Sequence, residues 1–205
     1  MSAGESLGNS SGHSSRPEQS DGNLWQQSRA GNADAFGQLF ERHAKTIYNY
    51  CFRSIGDKPA AEDLLSSAFL EAWRRRRKEL RDEDVLPWLY GIAANLIRNR
   101  RRSERRFAAA LRRLPEPSPE PDFASASDEL IDDDQRLQHA LILLRQLPQR
   151  EREVFILCAW MELSYEAAAV ALELPIGTVR SRLSRARAHL RELESASGHL
   201  QSRST

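Results

Sequence analysis

Two cysteines in 205 residues are too few for a disulfide framework. Cys51 and Cys158 stand far apart, each inside an apolar helical pattern, and read as buried reduced thiols, which points to a cytoplasmic protein; a bridge between them is the alternative. No apolar run approaches the roughly 18 residues that a membrane crossing takes, so no membrane insertion is expected. The first residues are polar and rich in Ser and Gly, which is not the composition of a secretory signal. Glycine is sparse and forms no phosphate-cradling loop. The five histidines (13, 43, 139, 189 and 199) are scattered, without metal-ligand spacing, and no nucleophile motif occurs. An enzyme is therefore not expected, and neither a metal nor a cofactor. Strand-like alternation of useful length is missing as well, which leaves an all-α fold.

Net charge is also nearly absent, at +1, but this total hides two opposed blocks. Residues 98–113 hold eight arginines against the single acid Glu104, a net +7. Residues 115–134 hold eight acids and no base, a net −8, together with Pro115, Pro117, Pro119 and Pro121. The acidic stretch reads as a stiff, unfolded linker and is the best domain boundary in the chain. The expected organisation is a disordered tail over 1–22, a helical domain over 23–113, a flexible linker over 114–134, a second helical domain over 135–194, and a disordered tail over 195–205. Within the first domain the periodicity predicts one helix over 25–55, a break over 56–59, a helix over about 60–78, and a third beginning near Pro87.

The second domain carries the most specific signal. Ser164 is a good helix cap, and the alanine-rich stretch 165–172 lets another helix approach closely. Glu173, Leu174 and Pro175, with Gly177, break it. Val179, Leu183, Ala186, Leu190 and Leu193 then form one buried stripe. Thr178, Arg180, Ser181, Arg182, Ser184, Arg185 and Arg187 fall elsewhere on this helix, near its start. A short helix, a turn, and a second helix with cationic and small polar residues make a helix-turn-helix. Arginine grips guanine bidentately, and serine bonds base edge or phosphate.

These residues resemble the extracytoplasmic-function subfamily of sigma-70 RNA polymerase sigma factors. Gln146, Leu147 and Pro148, then Glu151 through Phe155, Leu163 through Ala168 and Pro175 through Arg187 look like sigma region 4, which implies reading of the minus-35 promoter element. Ala61 through Leu65 and Phe69 through Trp73 are similar to the helix of sigma region 2 that docks on the polymerase clamp. The resemblance implies a core-polymerase surface at Asp63, Leu64, Phe69 and Trp73. Pro87 through Leu96 and the arginines beyond look like the part that melts and reads the minus-10 element. Trp88, Tyr90, Asn95, Arg98, Arg101 and Arg102 are the candidates there, because base capture takes aromatic pockets and cations along the backbone. Trp88 serves equally well as core, Tyr90 is the better placed for exposure, and Asn95 orients a loop as readily as it reads a base. Ser66 and Ser67 stand where that family usually has a glutamine and an acid.

The implied function is promoter recognition, DNA melting and transcription initiation. The implied partners are core RNA polymerase, promoter DNA and an anti-sigma factor. The rival is a non-sigma helix-turn-helix regulator, which would carry a sensor in place of residues 25–110.

Overall fold

In the computed structural model, which describes residues 19–112 and 133–201, every regular element is helical. The expected N-terminal tail and linker therefore lie almost wholly outside the described residues, whereas residues 195–201 of the expected C-terminal tail are helical.

Helix α1 (Asp21–Arg29) starts on Ser20, whose hydroxyl accepts from the Asn23 amide. It stops at Ala30, and α2 (Ala33–Ile55) begins after a new cap, Asn32, which accepts from the amides of Asp34 and Ala35. The single helix predicted over 25–55 is thus two. The signal is local: Gly31 adopts φ +98°, a left-handed conformation that glycine takes without steric cost, and Asn32 caps the second helix.

Gly56 closes α2 at φ +70°. Asp57 caps α3 (Lys58–Arg74) by accepting from the Ala60 amide at 2.7 Å. Pro59 therefore belongs to the first turn of α3 and does not lengthen the break, since a first-turn proline loses no helical hydrogen bond. A single 3₁₀ turn (Asp82–Asp84) leads into α4 (Val85–Leu111).

The second group comprises α5 (Asp133–Gln146), α6 (Gln149–Phe155) with a π-helical extension (Ile156–Trp160), α7 (Tyr165–Leu172) and α8 (Ile176–Gln201). Ser164 caps α7, accepting from the Ala167 amide at 3.1 Å. The break after α7 is made by Glu173, at φ 54°, and Pro175; Gly177 lies inside α8 and does no breaking.

The two groups share one continuous core, which runs from Leu24 and Trp25 through Tyr50, Phe69 and Ile97 to Leu157, Leu172 and Leu183. Helix α7 packs on α4, and α2 on the π segment. The approach of α7 is close: a Cβ at Gly91 would stand 2.7 Å from the carbonyl oxygen of Ala171. Polar ties reinforce it. Arg53 donates to the Trp160 carbonyl at 2.8 Å and lies over its ring, and Arg145 donates to the Ile55 carbonyl at 3.0 Å.

Candidate nucleic-acid interface

Burial sorts the residues of α8. Val179, Leu183 and Ala186 are buried, with Leu190 and Leu193 half-buried behind them, so the predicted stripe faces the core. Ser181 and Arg185 are exposed, and Thr178 and Arg182 half-buried; these four line one cleft. Ser181 Oγ donates to the Thr178 carbonyl at 3.1 Å, and Arg185 Nε donates to the Ser181 carbonyl at 3.3 Å. Arg180, Ser184 and Arg187 are exposed but outside that cleft, and Arg180 stands 5.7 Å from the centre of the Tyr165 ring.

Across the cleft stands α4. Arg98, Arg102 and Arg105 line it from that side, and Arg150 at the start of α6 from another. Asn95 is exposed and its Oδ1 accepts from Arg98 Nη1 at 2.8 Å. Arg98 reaches over to Glu153, with its Nε 3.2 Å from each carboxylate oxygen. Arg101 is half-buried and donates to the Ser54 carbonyl at the end of α2. Arg102 is exposed.

The aromatic candidates are placed differently. Tyr90, expected to be the better exposed, is 1% exposed and packs edge-on against Tyr50 at 5.2 Å. It shares the inward face of α4 with Ala93, Ala94 and Ile97, three, four and seven residues on, and burial raises its phenol pKa above the ordinary value. Trp88 is buried too, edge-on to Trp25 at 4.9 Å, with Lys78 Nζ 5.7 Å from its ring. Both side chains belong to the core in this conformation.

On α3, Asp63 is exposed and Trp73 half-buried, with Arg76 stacked 4.4 Å from the Trp73 ring. Leu64 and Phe69 are buried, and Phe69 packs on Phe40 at 4.8 Å and Phe36 at 6.1 Å. The exposed apolar residues beside them are Leu70 and Phe40. Sequence reasoning placed Phe40 on the apolar stripe of its helix and Leu70 within the docking run, and named neither as a contact. The signal for Leu70 was present: Asp63, Ser66, Ser67 and Leu70 recur at helical spacing and all four are exposed.

It also passed over the acids of α6. Glu151 and Glu153 are buried; one meets His189 Nδ1 at 2.7 Å and the other Arg98. Arg152 beside them is half-buried. Its guanidinium pKa is pushed down to about 10, first by burial and then by Arg101 and Arg145, and its Nε is buried without a hydrogen-bond partner.

The fold and this site define an all-α protein with a helix-turn-helix and two cationic helices facing one cleft. Two family descriptions match: "Sigma-70 region 2" over residues 39–107 and "Sigma-70, region 4" over residues 140–190. The chain is 34% identical over 165 residues to the RNA polymerase sigma factor CarQ of Myxococcus xanthus, covering 80% of this chain and 92% of that one. It is 26% identical to the ECF RNA polymerase sigma factor SigW of Bacillus subtilis, covering 81% and 92%. Among solved structures it resembles the sigma factor RpoE in complex with the anti-sigma factor NepR from Bartonella quintana. That likeness has a TM-score of 0.61 at 26% identity and covers 78% of this chain and 96% of that one. The chain belongs to the sigma-70 family of RNA polymerase sigma factors, in its extracytoplasmic-function branch. Among the described residues no helix is long and apolar enough to cross a membrane.

Proposed function

We propose that the protein binds core RNA polymerase in the cytoplasm and carries it to promoters, reading the minus-35 element with α8 and opening the minus-10 element with α4. Residues 23–113 are the region 2 domain and 135–194 the region 4 domain, joined by the acidic segment 114–134. The observation that carries this reading is the cationic face of α8. Thr178, Ser181, Arg182 and Arg185 stand together on it, turned away from the buried stripe and near the helix start that enters a major groove. Arg98, Arg101 and Arg102 hold the strand backbone near the minus-10 element. Trp88 and Tyr90, buried beneath it, hold that part of α4 in shape. The polymerase contacts Asp63, Trp73 and the exposed Leu70, while Leu64 and Phe69 hold that face in shape. An anti-sigma factor is a further partner, as RpoE has NepR. The reading assigns no catalytic residue, metal or cofactor. Nothing favours the rival regulator, because the region 2 match occupies the stretch where its sensor would be.

Reconstitution with core polymerase tests the reading. Run-off transcription from a genomic promoter pool is expected to start only when the chain is added. A chain that binds DNA but neither associates with core nor supports initiation would be a regulator instead.

A further inference from the structure

The cleft between the two helical groups has a volume of about 810 Å³ and is walled by cations from both. Its two carboxylates are already engaged: Glu151 with His189 and Glu153 with Arg98. Among the described residues, Arg102, Arg105, Arg150, Arg182 and Arg185 have no ion-pair partner. Arg105 donates to the Arg101 carbonyl and to Gln149 Oε1 at 3.3 Å, and Arg185 only to the Ser181 carbonyl. Burial, followed by the charge of Arg150, lowers the Arg182 pKa, and both residues line the same cleft.

Clustered cations in a concave wall focus a positive potential and attract counter-charge. The planar guanidinium fork matches phosphate oxygens two at a time, which favours phosphate over a monatomic anion. A duplex meets α8 only by taking the helix into a major groove about 12 Å wide, and in the closed arrangement the α4 wall stands across that face. A narrow chain of phosphates needs no such opening.

We propose that this cleft binds a linear phosphate chain, free polyphosphate or the triphosphate group of a nucleotide, which bridges the α4 wall and the α8 wall. Neither wall alone supplies the site. Binding is therefore coupled to the packing of α7 on α4, and a ligand that recognises only the closed arrangement stabilises it by mass action. By holding the walls together it also keeps Arg182 and Arg185 from a promoter, a consequence that rests on the promoter reading. The phosphate site itself goes beyond that reading and does not depend on it.

The test uses the full chain and sodium tripolyphosphate, with calorimetric titration and thermal unfolding compared against sodium chloride of equal ionic strength. Two variants separate a built site from loose attraction. Gly91→Leu drives the added side chain into the Ala171 backbone, parting the walls while leaving every arginine in place. The double variant Arg150→Gln with Arg182→Gln lowers the charge and leaves the walls closed. Saturable one-to-one binding is expected, with a raised melting temperature, and about tenfold or more weaker binding in either variant. Displacement of an oligothymidylate by tripolyphosphate would show that a single strand uses the same cleft. Tripolyphosphate binding no stronger than matched salt overturns the proposal, even if the oligothymidylate binds. So does unchanged affinity in a Gly91→Leu chain that keeps its helical circular dichroism. If Gly91→Leu does not fold, the double variant decides, and unchanged affinity there overturns the proposal equally.

Discussion

At the scale of single residues, burial and its partners decide what each side chain can do. Cys51 is fully buried and its thiol is pushed up to about 12 by burial, while Cys158 is half-exposed. The native protein is expected to react with Ellman's reagent at one thiol, and at two once guanidinium has unfolded it. The same shift links stability to pH. An unfolded Cys51 ionises near its ordinary 9.0, but the folded one keeps its proton to about 12. This group therefore removes stability as pH climbs from 9 towards 12 and has no effect below that window. Arg152 presents the opposite problem, a cation in a half-buried place with an unpartnered Nε. Arg152→Met keeps the packing of the stem and removes the desolvated charge. It is expected to raise stability by about 1 kcal/mol, measured by urea denaturation. Arg185 is exposed on the cleft face, where a guanine contact is worth about 1–3 kcal/mol. Arg185→Ala is expected to flatten preference at one or two minus-35 positions in a randomised promoter library. Arg191→Ala, far along α8, is expected to weaken all promoters alike.

At the scale of elements, caps and turns set the helix boundaries. The helix-turn-helix turn places Glu173, a residue with a Cβ, in the left-handed region at φ 54°. That conformation costs an L-residue about 1–2 kcal/mol, and glycine avoids it. Glu173→Gly is expected to stabilise the protein by about 1 kcal/mol, a little under the full strain because glycine is freer when unfolded. Helix α3 shows how one element serves two faces. Phe69 is buried in an aromatic cluster, so Phe69→Ala is expected to cost about 3–5 kcal/mol of stability and to weaken core binding only through unfolding. Leu70→Asp, on the exposed side, is expected to leave circular dichroism unchanged and to weaken association with core polymerase. Intact core affinity in that variant would take α3 out of the interface.

At the scale of the whole molecule, the two helical groups are closed upon each other, and this constrains how both promoter elements are met. Elements centred about 25 base pairs apart are separated by about 85 Å of duplex axis. A compact chain of this length has a radius of gyration of only about 17 Å. On the proposed reading the closed arrangement does not span both, so α7 is expected to leave α4 in holoenzyme. Dyes placed at Ser66 on α3 and Ser184 on α8 are expected to show efficient energy transfer in the free chain and a marked fall when core polymerase is added. The free chain is likewise expected to bind promoter DNA weakly in gel-shift titration, because two weak sites add their strength only when geometry fixes both.

Composition and periodicity by themselves determined the helical class, the capped helix-turn-helix over residues 164–193 and the cationic face of α8. Each of these is a local matter of spacing three and four residues apart, of caps and of turn residues. The same local signals held the break at Gly31 and Asn32 and the exposed row ending in Leu70, where attention to apolar recurrence hid them. Only the tertiary structure decided that Tyr90 and Trp88 are core. A helix whose two sides both carry aromatic or aliphatic residues does not say which side meets a neighbour. Nor could spacing reveal that Glu153, 55 residues from Arg98, would be buried against it. Burying a carboxylate is tolerable only when a cation arrives from elsewhere in the chain, and that arrival is a property of packing.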